Sequence, residues 1–239
     1  MSGHSKWANI KRKKGINDAV RSNAFTKMAR LITSAVSEGG GMPDPAHNFK
    51  LRLAVDRARA VNMPKDTIQR AIDKGSGANA VKMKEVVYEG FGPGNSALII
   101  TALTDNPNRN VPDIKQALDK GGGKLASPNA VAYLFQHCGV LEISHSHIDE
   151  ERAFSIFDQL QGIDFEDAEE SYIMYIPFEN IKNVKEILGS IEPLMLDVYY
   201  LPINPIVVES SMITKIEQLT EKLEDLDDVQ GVYSNAIEA

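Results

Sequence analysis

Residues 140–201, VLEISHSHIDEERAFSIFDQLQGIDFEDAEESYIMYIPFENIKNVKEILGSIEPLMLDVYYL, decide the fold class. Alternating or continuous apolar runs at 140–143, 165–168, 172–176 and 196–201 have the length and composition of strands. Between them, 149–160 and 179–191 carry apolar residues at helical spacing. The resulting order, β-α-β-β-α-β, is that of a ferredoxin-like split βαβ unit.

Upstream of this unit, 86–91 and 97–104 read as strands joined by the turn Gly92-Pro93-Gly94-Asn95. A helix is expected at 111–118 and a further strand at 131–135. Downstream, a helix at 213–226 and a strand at 229–234 lack partners of their own. They are therefore expected to complete the segment before the ferredoxin-like unit, which makes that unit an insertion. The boundaries read as 78–137 plus 207–239 for the outer α/β domain and 138–206 for the inserted one.

The first 77 residues have a different period. Ile16, Val20, Ala24, Met28, Leu31 and Ala35 recur at steps of three and four, predicting one helix over 16–38 that stops at Gly39-Gly40-Gly41. A second helix is expected at 46–61, burying Leu51, Ala54, Val55, Ala58 and Val61, with Lys50, Arg52, Arg57 and Arg59 projecting outward. A third, at 64–74, opens on Pro64 and ends at Gly75 and Gly77. The fold class is thus α+β: an N-terminal three-helix domain at 1–77, then two α/β domains, the last a ferredoxin-like unit inserted in the other.

Charge divides the chain at the same place. Residues 1–77 hold 15 Lys and Arg against 6 Asp and Glu, whereas 78–239 hold 11 against 27, so a +9 segment is joined to a −16 body. Such asymmetry points to a polyanion-binding segment. Its densest part is Lys6, Lys11, Arg12, Lys13 and Lys14, and Arg21, Lys27 and Arg30 continue along the first helix. Cations at this density neutralise phosphates and release counterions. Trp7 among them is expected to pack into the helical bundle, with base stacking as the alternative. The acidic stretches, Asp164 to Glu170 and Glu221 to Asp228, read as solvated strand edges and helix faces. They also allow the hypothesis that the acidic body docks on the basic segment and restrains it until nucleic acid competes.

Enzyme motifs are missing from the sequence. Lys120-Gly121-Gly122-Gly123-Lys124 follows a helix and has Leu125 where a phosphate loop needs Ser or Thr, so it reads as a helix terminator. No GxSxG occurs, and His137 and Cys138 point to opposite faces of a strand. His145 and His147 could share one side of a strand, but neither a CxxC nor an HExxH accompanies them. No catalytic residue, cofactor or metal is expected, and the protein is read as non-enzymatic. The lone Cys138 fits a reducing compartment, the polar N-terminus lacks a secretory pattern, and no run nears the ~20 apolar residues of a membrane span. A cytoplasmic location is expected, without membrane contact.

GHSKWANIKRKK (3–14), FTKMAR (25–30), NMPKDTIQRAIDKGSG (62–77), YEGFGPG (88–94) and ALTDNPNR (102–109) resemble the YebC/PmpR family of probable transcriptional regulatory proteins, which includes the mitochondrial translational activator of cytochrome c oxidase. The resemblance implies a three-domain cytoplasmic protein with the third domain inserted in the second. It implies a transcriptional regulator binding DNA through Lys6, Lys11, Arg12, Lys13, Lys14, Arg21, Lys27 and Arg30, with Arg109 retained in the 105–110 loop. The alternative it carries is a ribosome-associated translation factor that uses the same cations on ribosomal RNA and relieves stalling. A third reading, from another class, is a hydrolase or metal enzyme built on the His/Cys cluster at 137–147. The acidic α/β domains remain surfaces for protein partners. Three departures from the family pattern stand out: Ser22-Asn23 replaces a Gly-Lys pair, Pro107 stands where Arg is common, and Ala126-Ser127-Pro128-Asn129 replaces a Gly-containing segment.

Overall fold

A computed structural model describes residues 18–76 and 83–238, with side chains from residue 24. Three helices come first: α1 Asp18–Glu38, α2 Phe49–Ala60 and α3 Lys65–Ser76. Asn48 caps α2, its side-chain oxygen accepting the Leu51 N–H at 3.1 Å. Ile32, Val36, Leu51, Val55, Ala58, Ile68 and Ile72 form the helical core, and Leu31 and Met28 of the expected stripe lie at its margin. The buried stripe of α1 is broad because this helix packs on both α2 and α3. Gly75 permits the closest approach: a Cβ there would stand 2.6 Å from the Thr33 carbonyl oxygen.

Next come β1 Lys84–Phe91, β2 Ala97–Thr104, α4 Pro107–Lys120 and β3 Lys124–Leu125. Helix α4 starts four residues earlier than expected. Asn106 caps it, and Pro107, lacking an N–H, suits its first position. The helix ends at Gly121, and the next residue, Gly122, has φ +77, so the glycine run is a terminator. After residue 203 the chain returns with β8 Ile206–Val208, α7 Ser210–Glu224, β9 Val229–Ser234 and β10 Ala236–Glu238. Strand β9 pairs with β2, giving the sheet order β3-β1-β2-β9, and β8 pairs with β10. One face of this sheet packs Leu98, Ile100, Val229 and Val232 against Ile114 and Leu118 of α4 and Leu219 and Leu223 of α7. On α2, Arg57 does not project to solvent as the helical pattern suggested. It is half-buried and within the field of Glu85 and Tyr233, and burial pulls its guanidinium pKa down. Residues 16–134 and 204–239 cluster as one compact unit.

Residues 135–203 form the other unit, inserted in the first. Its elements are β4 Phe135–Ser144, α5 Glu150–Gln159, β5 Asp164–Asp167, β6 Ser171–Pro177, α6 Val184–Leu188 and β7 Met195–Pro202, in the sheet order β5-β6-β4-β7. This is the ferredoxin-like arrangement. The expected strand at 131–135 and the strand at 140–143 are replaced by a 3-10 turn, Ala132–Leu134, followed by the single ten-residue β4. The reason is Glu89: its carboxylate accepts the N–H groups of Asn129 (2.5 Å), Val131 (2.7 Å) and Ala132 (2.8 Å), which takes those donors away from any ladder. The expected helix at 179–191 is a 3-10 segment, Phe178–Asn183, running into the short α6, which stops where Gly189 adopts φ +61.

The two faces of the inserted sheet differ. Gly139, Tyr172, Met174 and Ile176 face the helices, with Ile181 packed on Gly139 and Phe154 stacked on Phe165 at 4.7 Å. The opposite face carries Cys138, Val140, Glu142, Ile173, Tyr175, Tyr199 and Leu201, each no more than 8% exposed.

Candidate nucleic-acid interface

The side chains of Lys6, Lys11, Arg12, Lys13, Lys14 and Arg21, with Trp7, lie outside the described residues. Lys27, Arg30 and Arg109 are described, and they converge on one region. Lys27 donates to the Glu224 carbonyl oxygen at the C-terminus of α7, the negative end of the helix dipole. Arg30, one turn further along α1, forms an ion pair with the Asp228 carboxylate. Arg109, in the first turn of α4, places Nη2 2.9 Å from Asp105 Oδ1 and 3.4 Å from Asp228 Oδ2.

Asp228 is the organiser of this cluster. Its side chain is 14% exposed, and its backbone oxygen accepts the Leu103 N–H at 2.7 Å. The Thr104 hydroxyl lies 3.3 Å from Asp228 Oδ2 and 3.1 Å from Asn110 Oδ1, and it accepts the Asn106 N–H at 3.1 Å. The 104–110 loop, the start of β9 and the face of α1 are thus tied through one carboxylate. Glu221, Asp225 and Asp227 are exposed, as the reading of a solvated acidic face expects, whereas Asp228 is not. The missed signal is the pattern of acids closing a helix C-terminus directly before a strand, which puts them at a fixed corner of the sheet.

On the other two helices, Lys50 and Arg59 have carboxylate neighbours, and Arg70 has a backbone acceptor. Lys50 Nζ is 2.5 Å from Glu38 Oε2, Arg59 Nη1 is 3.2 Å from Asp56 Oδ1, and Arg70 Nε donates to the Asp66 carbonyl at 3.1 Å. Exposed Lys65 and Lys74 complete the outer face of α3.

The 137–147 cluster is dispersed. Burial pushes the Cys138 thiol up to about 11, far from a reactive thiolate. His137 stacks on Phe178 at 4.4 Å and leans on Tyr200 at 4.8 Å. His145 Nε2 is 3.0 Å from Asp167 Oδ1, whereas His147 Nδ1 is 3.1 Å from the Glu192 carbonyl oxygen. Among the described residues no group of three or more His, Cys, Asp or Glu side chains is placed to hold a metal ion. Nor is any described helix long and apolar enough to cross a membrane.

Comparison with known proteins covers nearly the whole chain. Residues 5–78 match the TACO1/YebC protein N-terminal domain, and residues 83–236 match the TACO1/YebC second and third domain. A "Probable transcriptional regulatory protein" of Halorhodospira halophila is 43% identical, covering 99% of this chain and 96% of that protein. One of the same name from Lactiplantibacillus plantarum is 39% identical, covering 99% and 98%. The crystal structure of a conserved hypothetical protein from Aquifex aeolicus superposes with a TM-score of 0.85 at 34% identity, covering 98% of both chains. With both family domains matched in order and full-length relatives near 40% identity, the chain belongs to the TACO1/YebC family.

Proposed function

We propose that the protein is a non-enzymatic regulator of gene expression that binds DNA through its basic N-terminal domain. The observation that carries this reading is how densely cations are placed along the N-terminal sequence. Within 1–77 the excess of 15 Lys and Arg over 6 Asp and Glu is concentrated in Lys6, Lys11, Arg12, Lys13 and Lys14, while Lys27, Arg30, Lys50 and Arg59 have protein acceptors. A dense run of cations neutralises phosphates and releases their counterions. The names of the relatives support a regulatory role in transcription.

Ribosomal RNA is the second reading, supported by the same cations, because phosphate contacts position a protein without specifying the polymer. Crosslinking in cells, with sequencing of both bound DNA and bound RNA, tests the proposal. Enrichment of discrete promoter DNA is the expected result. Recovery of ribosomal RNA alone would replace it by the translation reading, and recovery of neither polymer would end both.

A further inference from the structure

In the inserted domain a continuous row of aromatic rings runs along the helix side of the sheet, next to its β5 edge. Phe154 of α5 stacks on Phe165 of β5 with centroids 4.7 Å apart, Phe165 meets Tyr172 of β6 at 5.7 Å, and Tyr172 meets His145 at 4.3 Å. Phe157 sets its edge on Phe165 at 5.7 Å. Gly162 makes the room for it, since a Cβ there would stand 1.9 Å from the Phe157 ring. The row is buried in its middle and open at the α5 end: Tyr172 is 8% exposed, whereas Phe154 is 45% exposed. Phe165 covers one face of the Phe154 ring, and the rest of that ring meets water. An exposed ring seated on a packed aromatic row offers a firm platform for a further planar group.

Carboxylates decide the sign of that group. Glu150, Glu151 and Asp158 of α5 lie four before, three before and four after Phe154, the spacings that share its side of the helix. All three are exposed, and among the described residues no hydrogen bond or ion pair occupies their side chains. Asp158 sits in the last turn, where the helix dipole disfavours a negative charge and no basic side chain offsets it. At the inner end of the row, burial and then the fields of Asp167, Glu150 and Asp149 raise the Tyr172 hydroxyl pKa. Across 149–170, nine Asp and Glu stand against a single basic residue, Arg152. A rim of this sign repels a polyanion and attracts a cation.

We infer that Phe154 and its carboxylate rim dock an arginine-bearing basic segment of a protein partner. A guanidinium is planar, stacks on an aromatic face and pairs with carboxylates through parallel N–H donors, so one side chain satisfies both ring and rim. Lysine carries a hydrated point charge and matches the rim alone. The surface is built wholly from the inserted domain and uses none of the N-terminal cations, so the inference is independent of the polymer bound under Proposed function. The chain then has two recognition surfaces of opposite sign, one for a polyanion and one for a basic protein.

The test is anisotropy of a short fluorescein-labelled peptide of alternating arginine and glycine, titrated with the full-length protein at physiological salt, beside the same peptide with lysine for arginine. The arginine peptide should bind about tenfold more tightly. Phe154→Leu, which keeps apolar bulk on Phe165 and removes the ring, should abolish most of that preference. Glu150→Gln/Glu151→Gln/Asp158→Asn should weaken both peptides about tenfold. Asp113→Asn/Asp119→Asn/Glu221→Gln removes the same charge from exposed positions of α4 and α7 and should change neither. Melting temperatures are read in parallel, and the α5 triple variant, confined to exposed side chains, carries the test if Phe154→Leu is unstable. No binding of the arginine peptide to wild type up to about 1 mM overturns the inference. So does equal affinity for the two peptides, or a loss in the α4 and α7 variant as large as in the α5 variant. Self-association of the protein that Phe154→Leu abolishes would give the face to a second copy and overturn it as well.

Discussion

Arg30 on α1 and the Asp228 carboxylate just before β9 form an ion pair across 198 positions of sequence, with side chains 25% and 14% exposed. This pair ties the N-terminal helices to the last long strand. Replacing Asp228 by Ala strands a largely buried guanidinium and also removes an acceptor near Thr104 and Arg109. A loss of about 1–3 kcal/mol is expected, between the cost of an exposed pair and that of a broken buried one. Arg109→Ala, on a side chain 55% exposed, should cost less than about 1 kcal/mol. Chemical denaturation of both variants, with the Arg30→Ala/Asp228→Ala double, measures the coupling. Equal effects of the two single variants would remove Asp228 from its central role.

Glu89 makes a stability term that depends on pH. Burial alone would raise its pKa, but the N–H groups of Val131, Asn129, Ala132 and Ala130 override that and hold it below the ordinary carboxylate value. A depressed folded-state pKa means the unfolded chain takes up the proton first. The stabilisation is therefore fully present above the unfolded value of about 4.3 and is lost as pH falls through the lower folded value. Glu89→Gln should cost roughly 1–3 kcal/mol at neutral pH, flatten the acid limb of the stability profile and speed amide exchange at 129–132. A variant with the wild-type acid limb would show that another carboxylate controls it.

Most of the architecture was legible because it rests on period. The spans of β2 and β9 were read to the residue, and the ferredoxin-like order followed from alternation that a partner sheet requires. What failed were elements whose reason lies far away in sequence. The 131–135 segment looks like a strand until Glu89, 42 residues before Val131, claims the N–H groups of Val131 and Ala132. Arg57 fits the polar face of α2 until Glu85 and Tyr233 are brought against it. The strands β3, β8 and β10 are two or three residues long, too short for any period to register. For the candidate interface, the cations themselves were visible, whereas the carboxylates and carbonyls that occupy Lys27 and Arg30 were not.

Packing of α1 on α3 depends on Gly75. A Cβ added there would fall 2.6 Å from the Thr33 oxygen and 2.8 Å from Val36 Cβ, and neither a backbone carbonyl nor a buried β-carbon can step aside cheaply. Gly75→Ala should destabilise by about 1–3 kcal/mol despite the better helix propensity of alanine. Thermal denaturation checks this, and a variant as stable as wild type would mean that the two helices can separate at no cost.

The commitments of Lys27 and Arg30 separate two kinds of cation in the basic domain. If Lys11, Arg12, Lys13 and Lys14 contact phosphates, each contributes close to 0.9 to the slope of log affinity against log salt, so replacing all four by Ala should lower that slope by about 3 to 4. Lys27→Ala/Arg30→Ala acts on the Glu224 carbonyl and Asp228 contacts. It should lower the melting temperature while leaving the slope within about one of wild type, because cations engaged with protein acceptors release few counterions when nucleic acid arrives. Anisotropy titrations of a labelled duplex from low to moderate salt read both slopes on one protein preparation. If Lys27→Ala/Arg30→Ala flattened the salt dependence as strongly as the fourfold variant, the α1 cations would have to leave Asp228 and Glu224 on binding, and the first helix would join the interface.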